Sequence, residues 1–284
     1  MKIARFVYRG RESLGFVVDD EIVPFYEIEG LPAYLSYPFA DEDMLESILS
    51  IKDLSPYPRI SLKNVDLINP IKYPGKIICL GLNYWSHVEE SGRDPPSDII
   101  LFMKPRTALA GPYEVIKVPK YVRKLDYEGE LVVVIGKRGR DIPENDAYKY
   151  VFGYTILNDV SARDFQFRDG QWTRGKSFDG FAPIGPWIVT KDEISDPNDL
   201  YIRTWLNNEL RQDGNTSDMI FKVPEILHRI SKVMTLEPGD IISTGTPSGV
   251  GIFDKSREKL IKNGDQVRIE IEKIGYIQNK FIFI

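Results

Sequence analysis

With 284 residues, 42% of them hydrophobic and 28% charged, the chain can bury a substantial core as one large domain or a large plus a small one, a composition that excludes disorder. A net charge of −5 and a sequence pI near 5.3, without any block of Lys and Arg, argue against a nucleic-acid surface. The early charges Lys2 and Arg5 do not fit a signal-peptide core and no run reaches the roughly 18 apolar residues of a membrane span, so a cytoplasmic protein with neither nucleic-acid nor membrane partners is expected.

In chain order, Phe6 to Arg9, Leu14 to Val18 and Ile22 to Phe25 read as short strands, the last two joined at Asp19-Asp20-Glu21. Met44, Leu45, Ile48 and Leu49 recur at helical spacing after Asp41, which suits a helix cap. The Pro-bearing stretch Asn69-Pro70-Ile71-Lys72-Tyr73-Pro74-Gly75 then marks a boundary, giving a small β-rich N-terminal domain over 1–70 and a catalytic domain over 71–284. Cys79 is the single cysteine, so no internal disulfide can form, and its apolar run makes it a core thiol. From Asn83 to Gly92 a short helix would set His87 and Glu90 three apart on one face, either as a solvated surface or as a carboxylate-oriented base able to activate water near neutral pH.

Glu128 and Glu130 stand at the mouth of the most apolar run of the chain, Leu131 to Ile135. On an extended strand residues i and i+2 share a face roughly 6–7 Å apart, so both can turn an oxygen toward one hard cation. The plainer alternative is a solvated pair bridged to Arg123 or Lys124. A third acid, Asp159, ends a second apolar run, Val151 to Asn158, and two buried strands ending in acids can converge on one ion. With two histidines, one cysteine and no zinc-type spacing, Mg²⁺, Mn²⁺ or Ca²⁺ is favoured over Zn²⁺.

Further along, Ile202 to Leu206 and Leu210 flank Asn207-Asn208 as a hairpin, and Val267, Ile269 and Ile271 alternate with charged residues. One helix follows Pro224, with Leu227, Ile230 and Val233 or Met234 as its apolar stripe and His228 beside it. The turn Gly245 to Gly251 lacks the phosphate-loop lysine pattern, so a nucleotide site is excluded. Without βαβ alternation the class is α+β and mostly β.

Five segments in order carry a resemblance: Ile78 to Tyr84, Glu128-Gly129-Glu130, Asn158 to Asp164, Gly175 to Asp179, and Gly239 to Gly251. Together they resemble the fumarylacetoacetate hydrolase family, near its acylpyruvate hydrolases, oxaloacetate decarboxylases and 2-hydroxyhepta-2,4-diene-1,7-dioate isomerases. The resemblance implies a mixed-strand β-roll catalytic domain, a homodimer, and a metal held by Glu128, Glu130 and Asp159. It also implies catalytic roles for His87 and Glu90 on a lid and for Lys176. Arg163, Gln166 and Thr246 would hold the 2-oxo-carboxylate end of a small 2-oxo acid substrate, with Lys104 as a secondary candidate. By residue type alone Lys176 could equally be a surface cation, and Arg163 a structural partner of Asp164. Arg106 and Tyr127 depart from the family pattern, and Arg106 is expected to add a cation near the site mouth that favours a dicarboxylate.

The activity so implied is metal-dependent hydrolysis of a C–C bond in a 2,4-dioxo acid through a pyruvate enolate. Isomerisation of a hydroxydienoate or decarboxylation of oxaloacetate needs almost the same groups. A non-catalytic binding protein would be expected to lack some of the acids, the dyad or the lysine, and all are present.

Overall fold

The computed structural model describes residues 1–31, 41–168, 170–254 and 259–284. Along the N-terminal segment run β1 (Lys2–Tyr8), β2 (Arg11–Val18), β3 (Glu21–Pro24), α1 (Glu42–Ser50), β4 (Ile60–Ser61) and β5 (Asp66–Ile68). Asp41 caps α1 by accepting from the amides of Asp43 and Met44, and Leu45 and Ile48 are its buried face. Next come β6 (Ile77–Gly81), α2 (Trp85–Ser91), β7 (Ile100–Met103), β8 (Leu109–Ala110), β9 (Val115–Val118), β10 (Leu125–Asp126) and β11 (Gly129–Ile135). After them are β12 (Val151–Asn158), β13 (Ser161–Ala162), α3 (Arg163–Gln166), α4 (Thr173–Lys176) and β14 (Ala182–Thr190). The chain ends with β15 (Tyr201–Leu206), β16 (Glu209–Asn215), α5 (Val223–Val233), β17 (Ile241–Ser243), β18 (Gln266–Ile271) and β19 (Gly275–Phe283).

A twelve-stranded mixed sheet runs β4-β3-β2-β1-β14-β12-β11-β17-β6-β7, with β5 on β1 and β8 on β14. The expected boundary after residue 70 falls just beyond β5, and hydrogen bonding continues across it, since Lys2 and Ile3 of β1 pair with Val189 and Ile188 of β14. A second, five-stranded sheet has the order β16-β15-β18-β19-β9. The class is therefore α+β and mostly β, with mixed rather than all-parallel pairing.

β11 explains why the site can be both buried and polar. Its alternate residues serve two cores: Leu131, Val133 and Ile135 pack toward the five-stranded sheet and α5, while Val132 and Val134 pack toward the N-terminal strands and α1. Burial on both faces requires the continuous apolar run seen in sequence. Gly129 starts the strand because a side chain there would collide with Thr204 of β15, whose Oγ1 lies 2.5 Å from where a Cβ would be. On α5, Met234 packs on the core while Val233 is 67% exposed, which resolves the end of that stripe.

Candidate active site

Register brings the acids together. β11 and β12 are antiparallel with Gly129 opposite Asn158 and Glu130 opposite Leu157, so Glu128 and Asp159, one residue beyond each strand, end up side by side. The Asp159 amide donates to the Glu128 carbonyl at 2.9 Å, and the Glu128 amide donates to Asn158 Oδ1 at 3.1 Å. Carboxylate oxygens of Glu128, Glu130 and Asp159 lie within 4.8 Å of one another, all three residues being buried.

Three cations enter the same space. Lys176 Nζ donates to Glu128 Oε2 and Asp159 Oδ2, both at 2.6 Å, and Lys104 Nζ donates to Asp159 Oδ1 at 2.5 Å. Arg163 pairs with Asp126 Oδ2 at 2.8 Å and Glu128 Oε1 at 2.7 Å, and donates to Gln166 Oε1 at 2.8 Å. Glu130 accepts only from Ser243 Oγ at 2.5 Å and the Gly245 amide at 3.1 Å, and among the described residues no ion pair reaches it.

The electrostatics follow from that inequality. Burial pushes the Glu128 carboxyl up, but the charges of Lys176 and Arg163 outweigh it and hold the group below the usual glutamate range. Burial also pushes Glu130 up, and here the charges of Asp159 and Glu128 add to it, so its carboxyl lies well above that range. Desolvation lowers Lys176, yet Asp159 and Glu128 together raise it, so the ammonium stays charged. Four buried acids, Asp126 included, thus face three cations, and Glu130 is the acid left without one, among oxygen donors. That donor set and surplus fit a hard divalent cation better than a soft one.

The second constellation is on α2. His87 Nδ1 lies 2.7 Å from Glu90 Oε1, and Glu90 Oε2 accepts from the Gly249 amide at 2.8 Å. Nδ1 therefore donates to the carboxylate, which leaves Nε2 as the basic nitrogen. Gly92 ends the helix with φ 65°. The helix starts two residues later than Asn83, because the Asn83 side chain is spent elsewhere, donating to the Phe221 and Thr244 carbonyls and accepting from the Phe221 amide. The Ser86 amide instead donates to Asp218 at 3.0 Å, and the Ser248 amide donates to Ser86 Oγ at 3.2 Å.

Residues of both constellations line one cleft. His87, Glu128, Glu130, Arg163, Gln166, Lys176 and Thr246 are on its wall, with Phe102, Phe167, Trp172 and Phe253 as the apolar part. Phe253 meets the His87 ring edge-on with centroids 5.8 Å apart. Thr246 Oγ1 donates to the Gly129 carbonyl at 2.9 Å and accepts from Gln212 Nε2 at 2.8 Å.

Residues 76–282 match the family model described as the C-terminal part of fumarylacetoacetate hydrolase. The chain belongs to the fumarylacetoacetate hydrolase family. It is 45% identical over 226 residues to a mitochondrial oxaloacetate tautomerase of Rattus norvegicus, Fahd2a, covering 79% of this chain and 72% of that protein. Among solved structures of the family, it is similar to the maleylpyruvate hydrolase of Sphingobium sp. SYK-6 in complex with manganese(II) and pyruvate. The TM-score there is 0.82 with 33% identity, covering 100% of this chain and 99% of that one. It is also similar to the 2-hydroxyhepta-2,4-diene-1,7-dioate isomerase of Mycobacterium marinum, with TM-score 0.79 and 36% identity over 100% and 98% of the two chains. Family members are thus hydrolases, isomerases and tautomerases.

Against this family background, the ten residues singled out in sequence occupy one connected region: the three acids, Lys104, Lys176, Arg163, Gln166 and Thr246 around the cleft floor, and His87 with Glu90 beside it. Two expectations change. Arg163 does not pair with Asp164, whose Oδ2 accepts from the Arg123 amide at 3.0 Å. Arg106 does not reach the cleft mouth and lies 4.7 Å over the Tyr73 ring instead. Sequence reading missed Asp126, although it continues the pattern two residues before Glu128. That carboxylate accepts from Arg163 and from the amides of Tyr127, Gly251 and Ile252, tying Arg163 to the loop that carries Phe253. Ser243, Trp172 and Arg93 were also missed. Among the described residues no helix is long and apolar enough to cross a membrane.

Proposed function

We propose that this chain is a divalent-metal-dependent enzyme acting on 2-oxo acids through an enolate, with hydrolysis of a C–C bond in a 2,4-dioxo acid as its reaction. The observation that carries this reading is that His87, backed by Glu90, lines the same cleft as Glu128 and Glu130, with Asp159 directly behind those two glutamates. Glu128, Glu130 and Asp159 would hold Mg²⁺ or Mn²⁺, which when bound supplies Lewis-acid polarisation of the substrate's oxygens. Arg163, Gln166 and Thr246 orient the 2-oxo-carboxylate end. His87 Nε2 takes a proton from water as it attacks the distal carbonyl, while Glu90 fixes the tautomer and balances the imidazolium. The bond between the distal carbonyl carbon and C3 breaks, its electrons pass into the pyruvate enolate, and the Lys176 ammonium stabilises that charge. Protonation at C3 gives pyruvate, and the other product is a carboxylic acid.

A second reading, tautomerisation of oxaloacetate, is favoured by likeness to the 45% identical rat oxaloacetate tautomerase. There the same His87 would carry a proton between C3 and the enol oxygen, and no water would attack. A panel of acylpyruvates, oxaloacetate and a hydroxydienoate, each run with Mg²⁺ and with EDTA, tests both. Pyruvate release from an acylpyruvate is expected to be fastest. Loss of enol absorbance from oxaloacetate as the fastest process would replace the first reading by the second, and equal rates with EDTA would sink both. A homodimer is part of the proposal, and a monomeric mass by light scattering at micromolar concentration would remove it.

A further inference from the structure

The cleft has a cation that the reading above does not use. Of the lysine and arginine side chains on its wall, Lys176 and Arg163 are committed to Asp126, Glu128 and Asp159. Arg93 is the other one. It follows Gly92 at the C-terminal end of α2, is exposed, and has no ion-pair or hydrogen-bond partner among the described residues. Its neighbour Asp94 is exposed and does not line the cleft.

At the cleft floor four buried acids face three buried cations, so with all four acids ionised to hold a cation one negative charge is in surplus. With a divalent ion in place the surplus becomes a single positive charge, enough to balance one carboxylate. A substrate with a second carboxylate would bring an unmatched negative charge into a cleft whose remaining wall includes Phe167, Trp172 and Phe253. Among the described residues on the wall, Arg93 is the uncommitted cation able to meet it, and a guanidinium presents a planar fork that matches a carboxylate.

We infer that Arg93 is a specificity-determining residue that receives the distal carboxylate of a dianionic 2-oxo acid, so that the enzyme prefers diacids to monoacids of equal length. The inference rests on the proposed 2-oxo acid reading and names which members of that class are taken. Among the described residues Arg93 has no hydrogen bond or ion pair with the acid triad or the dyad, so its contribution is to binding, not to the chemical step. It supplies the mouth cation that the sequence assigns to Arg106.

Titration calorimetry on the Mg²⁺-loaded protein tests this with two length-matched pairs, 2-oxoglutarate against 2-oxopentanoate and 2-oxoadipate against 2-oxohexanoate. In the wild type the diacid of at least one pair is expected to bind about fivefold more tightly, the size of a well-formed but solvent-accessible ion pair. In Arg93→Ala that advantage should shrink to about twofold or less with the monoacid unchanged, and Arg93→Lys should keep part of it, because an ammonium retains the charge and loses the fork. No diacid preference in the wild type overturns the inference, as does a preference that survives Arg93→Ala or an equal weakening of both members of a pair. If the wild type binds none of the four acids, the 2-oxo acid reading fails with it. If it binds them without preference, Arg93 alone fails.

Discussion

Two regions of the large sheet bury charge in opposite ways. On β1, Arg5 is buried and pairs with Glu12 at 2.7 Å, donates to the Asn69 carbonyl at 2.9 Å and also bonds the Asn69 side chain, while Lys72 reaches the same Glu12 at 3.0 Å. Each charge there has a partner, and Glu12 keeps 31% exposure, so water shares the load. At the ends of β11 and β12 the acids outnumber the cations, and Glu130 is left to a hydroxyl and an amide at 1% exposure. A balanced cluster fastens strands, whereas an unbalanced one stores electrostatic cost that a ligand can relieve.

The largest expected effect tests the unbalanced end directly. Exhaustive chelation should abolish turnover and Mg²⁺ should restore it. Glu130→Gln should weaken metal binding by about a hundredfold or more, while the metal-free variant melts no lower than the metal-free wild type, because the replaced carboxyl has no cation partner there and an amide oxygen can still accept from Ser243 and Gly245. A variant that keeps its affinity in calorimetry, or that melts well below wild type, would break the contrast.

Next in size is His87→Ala. Loss of the base should lower hydrolysis of an acylpyruvate by about 10²–10⁴, with oxalate binding changed by no more than about threefold. Decarboxylation needs no attacking water and should suffer less. Collapse of oxalate binding alongside hydrolysis would make His87 part of the ligand cradle instead of the proton-transfer pair.

Asp126→Ala sharpens the comparison from the stability side. It strips a buried carboxylate from Arg163 and from three backbone amides, and thermal or urea unfolding should show a loss of about 3–5 kcal/mol. The counterpart at the balanced cluster is Glu12→Gln, expected to cost less than about 1 kcal/mol at neutral pH. The Arg5 hydrogen bond, opposed by burial and helped by Lys72, holds the Glu12 carboxyl below its usual 4.5. Its stabilisation is therefore present above pH 4.5 and disappears as pH falls through the lowered folded value, so the wild-type advantage over Glu12→Gln should be full at neutral pH and vanish in acid. An advantage that grows in acid would show that the bond fastens something else.

Periodicity made most of the long elements legible. Leu14 to Val18, the run after Gly129, the Asn207-Asn208 hairpin and the Val267 alternation all carry their own signal, since each is set by which face is buried. Strands of two or three residues, such as β4, β8, β10 and β13, have too few positions to show a period and exist only because a neighbour offers unpaired backbone groups. The acids and the dyad could be read because i+2 and i+3 spacings fix local geometry. Partners could not: Arg163 beside Asp164 in sequence pairs with Asp126, and Arg93 rather than Arg106 lines the cleft, because strand register and helix termination decide those contacts.

The pairing of Ile3 with Ile188, of Ile77 with Ile241 and of Val115 with Lys280 has a kinetic meaning. Each ladder closes a loop spanning most of the chain, and the last two are parallel, so the entropic cost of closure falls before the ladders reward it. Refolding should therefore be slow for a chain of this size. Ser243, which donates to Glu130, lies on the very strand that joins β6 to β11, so the acid pocket is complete only once β17 has paired with β11, another distant closure. Metal capture in a stopped-flow refolding experiment should lag behind the first appearance of strand signal.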